Sequence, residues 1–260
     1  MSNSQNYMSN LYTTNEYITK NPSLHEEDSP WKVKKIIPLI DGFIKIINKD
    51  QINLLDVGGG AGIILSELST YIEKYNIRVN KYALDLSPGM LEIQKKRNPD
   101  LKKALNEDIC ATSLINKEVN LTLLIDLIEH VPNPEKALNE VSRISDYAIL
   151  KVPLDGYLIG KILNFVTHGG SRRRGVQKVG HINIYTYGSL RNQIKSNIGQ
   201  ILDGYFTNVH EYYLHSQYYK EQKNIKRTLL AVGGYPTFMC SPRLAAFIFN
   251  DFAMFLVKCN

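Results

Sequence analysis

The chain has 260 residues, 43% of them hydrophobic, and its 31 Lys and Arg against 25 Asp and Glu give a formal net charge of +6. This length favours one α/β domain with additions over two large domains. We find no apolar run near the ~18 residues that a membrane-spanning helix needs. The polar N-terminus lacks the apolar stretch of a secretory signal, so we expect a cytoplasmic protein.

Cysteine spacing and the distribution of cations narrow the possible partners. Cys110, Cys240 and Cys259 form no Cys-x-x-Cys pair, which predicts idle thiols rather than a metal or redox site. The cations are spread along the chain apart from three consecutive arginines at positions 172–174. A basic chain suits an anionic partner, yet this spread does not indicate a nucleic-acid-binding surface.

Between about residues 52 and 153 the chain alternates apolar and polar segments in βαβα order, which predicts a mostly parallel sheet flanked by helices. Ser87 and Asn133 are predicted N-caps, because each precedes a proline at the first helical position. The predicted helices span residues 62–75, 87–96 and 133–144. The predicted strands span residues 52–57, 79–85, 103–108, 119–126 and 147–152.

After Pro153 the pattern loosens. We predict an amphipathic helix at 156–166, a loop, a helix that begins near Thr186, and two late strands. Those strands, at 205–215 and 253–259, can form an antiparallel edge beside the parallel core. The predicted fold is therefore α/β and Rossmann-like, a doubly wound, mostly parallel seven-stranded sheet with an antiparallel edge and an insertion after strand five.

We expect this fold to form a single domain over residues 1–260. Its predicted parts are an N-terminal helical cap that covers one end of the sheet, a cofactor-binding core, and an acceptor-side lid with the C-terminal strands. These parts span residues 1–49, 50–153 and 154–260.

The stretch "LLDVGGGAG", residues 54–62, places bare backbone N–H groups between a strand and a helix, where a ligand can approach closely. A dinucleotide loop of the form G-x-G-x-x-G fails, because the sixth position from Gly58 is Ile63. Asp56 would also repel a pyrophosphate at this point. A phosphate-binding P-loop fails as well, since no Gly-Lys-Ser/Thr follows.

The spacing that fits is G-x-G-x-G, formed by Gly58, Gly60 and Gly62 behind Asp56. It resembles the first motif of the class I S-adenosylmethionine-dependent methyltransferases. "YALDLSPGML", "NEDI" and "LLIDLIEHVPNPEKALNEVSRI" resemble the second, third and fourth motifs of that family, in the same order. The small-molecule "type 11"-like group is the most similar, and the resemblance implies S-adenosylmethionine as the cofactor.

The resemblance also assigns roles. A carboxylate such as Asp85, at the end of strand two, suits the ribose diol because it accepts two hydrogen bonds. Asp108 would accept from the adenine amino group, Leu86 and Ile109 would contact the ring faces, and Asp56 would lie near the ammonium of the methionyl part. The predicted cofactor-binding residues are Asp56, Gly58, Gly60, Gly62, Asp85, Leu86, Asp108, Ile109 and Asp126.

The reacting end is predicted at the carboxyl edge of strand four. There Asp126-x-x-Glu129-His130 resembles the Glu-x-x-Glu-His of ubiquinone-type O-methyltransferases, in which this segment is associated with a divalent cation. Aspartate shortens that arm, so we expect no metal and weigh a base role for His130 against a structural one. His181, in "KVGHINIYTYGSL", is the second catalytic candidate, because this segment borders the acceptor pocket in similar enzymes.

The N-terminal segment "NPSLHEEDSPWKVKKI" resembles a cap of some of these enzymes. Its Trp31 and His25 would close over the cofactor or fix the cap in place. The apolar stretch around residues 158–165, followed by the arginines, would be a lid over a lipophilic or anionic acceptor, a patch that touches a membrane, or ordinary packing.

The expected function is methyl transfer from S-adenosylmethionine to a small-molecule acceptor, at oxygen or nitrogen rather than carbon. We do not expect a DNA base as acceptor, because strand four lacks an Asn/Asp-Pro-Pro-aromatic motif and no proline precedes Cys110. An RNA or protein acceptor, a catalytically silent S-adenosylmethionine-binding regulator and a nicotinamide oxidoreductase are the alternatives.

Overall fold

The computed structural model describes Leu24 and residues 26–170, 172–173, 176, 180–222 and 225–260, without the side chains of residues 222 and 226. Of the predicted cap, residues 1–49, the structure therefore describes Leu24 and residues 26–49. His25 and Arg174 lie outside the described residues.

A seven-stranded sheet in the order β3-β2-β1-β4-β5-β7-β6 forms the centre of the fold. Strands β1 to β5 pair in parallel, and β7 runs antiparallel to both β5 and β6. The strands are β1 Gln51–Val57, β2 Arg78–Leu84, β3 Lys103–Leu105, β4 Val119–Ile125, β5 Ser145–Pro153, β6 Gly199–Phe206 and β7 Phe252–Cys259.

Helices cover both faces of this sheet. A single 3-10 turn, Glu26–Asp28, leads into the first of them. The helices are α1 Ser29–Ile46, α2 Ile63–Glu73, α3 Pro88–Arg97, α4 Pro134–Ile144, α5 Leu158–Val166, α6 Tyr187–Asn197, α7 Val209–His215, α8 Gln217–Gln222, α9 Ile225–Cys240 and α10 Pro242–Ile248. No helix among the described residues combines the length and the apolar character that a membrane crossing requires.

Alternation along the strands divides the core into two layers. In β1, Leu54 faces the layer shared with α1 and α2, whereas Leu55 faces the layer shared with α4 and α6. Every residue of β4 is buried, as expected for a central parallel strand that is covered on both sides. The predicted mostly parallel sheet with an antiparallel edge is thus confirmed.

The predicted N-terminal helix is confirmed as α1, which lies along one face of the sheet beside α2. Its Ile36, Leu39, Ile40 and Phe43 are fully buried in the layer that also contains Leu54. Its first turn reaches the carboxyl edge of the sheet, where the parallel strands end. The helix is therefore part of the core as well as a cover.

Helix starts follow the predicted cap residues. Ser87 accepts a hydrogen bond from the backbone N–H of Met90, and Asn133 accepts one from Lys136. Thr186 caps α6 in a reciprocal capping box with Ser189. The amphipathic stretch after Pro153 is also helical, as α5.

One strand prediction was wrong. Residues 205–215 alternate like a strand, but β6 ends at Phe206 and α7 begins at Val209. Asn208, with φ +56°, turns the chain and caps the helix through Glu211 N–H. Alternation did not reveal this left-handed residue, which ends the strand.

The buried carboxylate of Asp251 closes the excursion between β6 and β7 at its base. It accepts hydrogen bonds from Thr207 Oγ1 at 2.8 Å and from the backbone N–H of Val209 at 3.2 Å. Asn208 N–H and its own neighbour Phe252 N–H donate to it as well. The two ends of the excursion are therefore held together by one side chain.

We predict that Phe43→Ala lowers the free energy of unfolding by about 3–5 kcal/mol, because it leaves a cavity against Tyr147, whose ring centroid lies 5.5 Å away. Ile46→Ala, at an exposed position of the same helix, should change it by about 0.5 kcal/mol or less. Chemical denaturation measures both. Equal effects would mean that α1 is not part of the cooperative core.

Candidate active site

The glycine loop follows β1 at the carboxyl edge of the sheet. The three predicted glycines have positive φ, +64° at Gly58, +54° at Gly60 and +74° at Gly62. Gly62 is the N-cap of α2, and its carbonyl accepts a hydrogen bond from the Asn98 amide at 3.0 Å. A Cβ at Gly58 would lie 2.8 Å from Leu127 Cδ1, so this loop touches the segment that follows β4.

Asp56 lies beneath this loop and is buried. Its Oδ2 has no hydrogen-bond partner, and a Cβ at Gly59 would overlap the carboxylate. Burial raises the pKa of Asp56 to about 7; the charge of Asp85 adds to the rise and Lys32 opposes it. A buried carboxylate without a partner is costly, and it fits a cationic group in the loop above.

Asp85 lies at the end of β2, where its Oδ1 accepts a hydrogen bond from Ser87 N–H at 2.9 Å. Burial raises the pKa of Asp85 to about 6, although the Ser87 hydrogen bond opposes the rise. Asn106 donates to the carbonyls of Asp85 and Leu86 at 3.0 and 2.9 Å, and so joins the ends of β2 and β3. Asn106 was not among the predicted site residues.

The proposed adenine contacts differ in exposure. Leu86 is 38% exposed and offers an open apolar surface, whereas Ile109 is 5% exposed and belongs to the core. Asp108 is exposed, and its Oδ1 accepts a hydrogen bond from Cys110 N–H at 2.8 Å. All three lie in the segments that follow β2 and β3; their roles toward a ligand stay predictions.

Asp126, at the end of β4, forms ion pairs with two lysines. Its Oδ1 lies 2.5 Å from Lys151 Nζ and its Oδ2 lies 3.1 Å from Lys32 Nζ. Burial alone would raise the pKa of Asp126, but the charges of Lys151 and Lys32 hold it well below its usual range. Each carboxylate oxygen of Asp126 has a charged partner. The predicted direct contact of Asp126 with the cofactor would therefore compete with these ion pairs.

Lys151 itself is fully buried in β5. Its ammonium lies 3.4 Å from the centroid of Phe252 and 5.6 Å from that of Trp31. Trp31 in turn stacks on Tyr212 at 4.7 Å. Trp31 therefore fixes α1 over the β4 and β5 ends, which is one of the two roles considered for it.

Four titratable side chains meet beside this network. His181 Nδ1 lies 2.5 Å from Asp155 Oδ2, and His181 Nε2 lies 4.0 Å from Glu129 Oε1. His130 Nε2 lies 3.9 Å from the same Glu129 oxygen, and the two imidazole rings are 5.0 Å apart. The structure thus brings together both predicted catalytic residues, which are 51 positions apart in the sequence.

The two histidines have different electrostatic environments. Burial lowers the pKa of His130 to about 4, and the neighbouring His181 adds to this effect. Its Nδ1 lies 3.1 Å from the carbonyl oxygen of Gly180, a partner that fits a neutral ring with the proton on Nδ1. Burial also opposes charge on His181, but the hydrogen bond and charge of Asp155 outweigh it and raise its pKa.

Glu129 is fully buried and neither carboxylate oxygen has a hydrogen-bond partner. Burial, with the charge of Asp126 in addition, raises the pKa of Glu129 well above its usual range. The hydroxyl of Tyr185, also buried, lacks a partner too. A polar ligand that reached these orphan groups would satisfy them.

Glu129, His130 and His181 could also hold a metal ion, since one ligand atom from each lies within 4.8 Å of the others. This set differs from the predicted motif, because His181 takes the place of Asp126. The expectation that no metal binds here stays a prediction.

The strand order, the glycine loop after β1 and the acid at the end of β2 define a class I methyltransferase fold, the S-adenosylmethionine-dependent group that the motifs indicate. Residues 55–146 match the family model described as a methyltransferase domain. A comparison with curated proteins gave no match.

Solved structures share the fold. Phosphoethanolamine N-methyltransferase 2 of Haemonchus contortus, in complex with phosphomonomethylethanolamine and S-adenosylhomocysteine, has a TM-score of 0.56 and 14% identity over 87% of this chain. This chain spans about half, 53%, of that protein. Geranyl diphosphate C-methyltransferase of Streptomyces coelicolor A3(2), with Mg²⁺, geranyl diphosphate and S-adenosylhomocysteine, has a TM-score of 0.60, 10% identity and coverages of 88% and 81%.

A third similar structure is StiE O-MT, residues 942–1257, with a TM-score of 0.51 and 14% identity. The match covers 85% of this chain and 72% of that one. By their names these three proteins methylate nitrogen, carbon and oxygen. The shared fold therefore does not define the acceptor atom.

Sequence reasoning missed Lys32, Lys151 and Asp155. Lys151 had a signal, because a lysine within an otherwise apolar parallel strand needs a buried partner. Asp155 lies two residues beyond Pro153, where the strand ends, but its pairing with His181 depends on the path of the chain from α5 back to the sheet edge. Asn183 was also missed; its amide donates to the carbonyls of Ile128 and Val131 at 3.0 and 2.8 Å.

We predict that the imidazole signals of His130 and His181 titrate separately in an NMR pH series. His130 should protonate near pH 4 and His181 above its ordinary value of about 6.5. Asp155→Asn should lower the His181 midpoint, because it removes the negative partner of Nδ1, and should shift the His130 midpoint less, because burial is the main cause there. An unchanged His181 midpoint in Asp155→Asn would contradict the pairing.

Proposed function

We propose that the protein transfers a methyl group from S-adenosylmethionine to an oxygen or nitrogen of a small-molecule acceptor, and that His181 takes the proton that the acceptor loses. The observation that carries this proposal is the Asp155–His181 pair, which lies next to the orphan oxygens of Glu129 at the edge of the sheet that also carries the glycine loop.

The residues present suit this cofactor. Oδ2 of Asp56 is buried without a partner and fits the ammonium of the methionyl part, while the carboxylate of Asp85 fits the ribose diol. The exposed side chain of Leu86 offers an apolar contact for the adenine, and Asp108 a hydrogen-bond acceptor. When bound, the cofactor supplies an electrophilic methyl group on a sulfonium sulfur.

On the acceptor side, Asp155 accepts the hydrogen of His181 Nδ1, which leaves Nε2 with its lone pair. Nε2 can then take the proton from an O–H or N–H group that becomes methylated, and Asp155 stabilises the imidazolium that forms. His130 stays neutral and orients the Gly180 carbonyl at the same edge. Glu129 and Tyr185 supply further hydrogen-bonding groups for the acceptor.

Carbon acceptors need such a base only in some cases, so the base favours oxygen or nitrogen. Two of the similar structures hold small phosphorylated molecules, which supports a small acceptor that carries an anionic group. Arg172 and Arg173 are exposed beyond α5 and can attract one. We further propose that residues 154–260 form the acceptor side, and that the reaction takes place in the cytoplasm.

A silent regulator that binds S-adenosylmethionine would keep Asp56 and Asp85 but has no need of the Asp155–His181 pair. This observation favours an enzyme over the regulator.

We predict that the protein binds S-adenosylhomocysteine in calorimetric titration and that Asp85→Ala weakens this binding about 100-fold, because charge-assisted hydrogen bonds to the ribose are lost. Asp50→Ala, at an exposed aspartate just before β1 and so at the opposite edge, is the matched control and should bind normally. Binding of NADH with no binding of S-adenosylhomocysteine would contradict the proposed cofactor.

We predict that His181→Gln lowers methyl transfer by about 10²–10⁴-fold in a screen of small-molecule acceptors with labelled S-adenosylmethionine, because the general base is removed. Its affinity for S-adenosylhomocysteine should not change. His215→Gln, at an exposed histidine of α7, is the matched control.

Full turnover in His181→Gln would refute the base role. Turnover that disappears with a chelator and returns with a divalent metal would instead assign Glu129, His130 and His181 to a metal ion. Binding of S-adenosylhomocysteine without turnover on any acceptor would favour the regulator.

A further inference from the structure

Three helices that follow the cofactor-binding core carry most of the exposed apolar side chains. Among the described residues, sixteen large hydrophobic side chains are exposed, and ten of these lie on α5, α9 and α10. Helix α10 packs against both α5 and α9, so the three helices form one continuous layer. We call this layer the apolar face.

Helix α9 has an inverted arrangement of side chains. Its large residues Ile225, Leu229, Val232 and Met239 are exposed and recur every three or four positions, apart from one turn occupied by Pro236, which is exposed too. The residues of α9 that the structure shows as buried are small: they are Ala231 and Gly234, where a Cβ would overlap the ring of His210. A helix of a water-exposed surface normally shows the opposite pattern.

Helix α5 continues this pattern. None of its residues is buried, and Phe165 is 86% exposed, with Ile162 and Val166 beside it on the same side of the helix. Leu244 and Phe247 of α10 add two more exposed apolar side chains. Patches of this kind on a folded protein usually mark a contact with another molecule or with lipid.

The chain segments that contain these helices carry positive charges only. Residues 156–202 and 222–250 contain eleven of the 31 Lys and Arg of the chain and none of its 25 Asp and Glu. Among these cations, Lys161, Arg172, Arg173 and Arg243 are exposed on or next to α5 and α10. The formal net charge of the whole chain is only +6. The two segments without acidic residues therefore carry more net positive charge than the chain has in total.

We propose that the apolar face is a docking surface for an anionic lipid bilayer. Aliphatic and aromatic side chains enter the boundary between headgroups and acyl chains, and the surrounding cations pair with the anionic headgroups. Nothing here spans the bilayer: α5 has nine residues and α9 has 16, fewer than a membrane crossing needs. The protein rests on the surface.

Charge also selects lipid over the other partners. Two copies of this chain that met through this face would bring like charges together without acidic residues to compensate. A nucleic acid would suit the arginines but would leave the aliphatic stripe of α9 exposed. An anionic bilayer matches both the charge and the aliphatic surface.

The location of the face is consistent with a role in substrate access. Helix α5 begins at Leu158, three residues after the Asp155 that pairs with His181. A bilayer under α5 would therefore bring an amphiphilic acceptor near the proposed base. That last step rests on the proposed function, whereas docking itself does not.

Co-sedimentation with vesicles tests the docking without any methyl acceptor, so its failure is distinct from a failure of the proposed reaction. We expect the protein to bind vesicles of phosphatidylcholine with phosphatidylglycerol, to bind pure phosphatidylcholine at least about 10-fold less, and to be released by high salt. Failure to bind the anionic vesicles would overturn the proposal.

Two pairs of variants define the surface. Arg172→Glu with Arg173→Glu, and separately Phe165→Asp with Leu229→Asp, should each weaken binding at least about 10-fold. The matched controls are Lys34→Glu with Lys45→Glu, on α1 at the other face of the sheet, and Ile115→Asp, at a 69% exposed loop position. Controls that weaken binding as much as the variants would overturn this assignment.

Cys240 offers a local readout, because it is exposed at the end of α9 whereas Cys259 is buried. In Cys110→Ser, an environment-sensitive fluorophore on Cys240 should shift to shorter wavelength with anionic vesicles. The same fluorophore on Cys110 in Cys240→Ser should not shift. A dimer in solution that Phe165→Asp with Leu229→Asp dissolves, without any vesicle binding, would assign the face to self-association instead.

Discussion

The candidate site depends on one buried electrostatic constraint, the pairing of Asp126 with Lys32 and Lys151. Lys151 is fully buried in β5, and a buried ammonium is stable only with a well-placed counter-charge. Asp126 supplies that charge from a backbone with φ +53°, at the point where β4 ends. Because Lys32 completes the pairing, helix α1, β4 and β5 are joined at the edge where the ligand is expected.

The loop after β4 is held in place by hydrogen bonds from the segment that precedes α6. The backbone N–H groups of Ile182 and Asn183 both donate to the carbonyl of Glu129 at 3.0 Å, and the Asn183 amide donates to the carbonyls of Ile128 and Val131. These bonds place His181 beside Glu129. Backbone hydrogen bonds between two loops thus position the acid–base cluster. The Glu129 carboxylate oxygens are the atoms of this cluster that have no protein partner and can accept a hydrogen bond from a ligand.

The sequence predicts the core of this protein well and its periphery less well. Strands β1, β4 and β7, the caps Ser87 and Asn133 and the helix that begins near Thr186 follow from periodicity and local hydrogen bonding, which act within a few residues. The partners of Lys151 and His181 depend on strand register and loop return, which no local pattern encodes. The strand expected at 205–215 was wrong for a related reason: alternation is shared by strands and short helices, and the turn at Asn208 decided between them.

Asp251 has a further consequence for how this fold can vary. One carboxylate holds Thr207, Asn208 and Val209 next to Phe252, so residues 207 and 251 meet whatever lies between them. The pairing of β6 with β7 lies outside that clamp and has one register shift, between Ile201 and Asp203. Helices α7 to α10 therefore form an insertion whose two ends are held together by one side chain. Evolution can lengthen, shorten or replace this insertion without altering the sheet. Such changes would alter the binding partners of the protein and leave the catalytic edge in place.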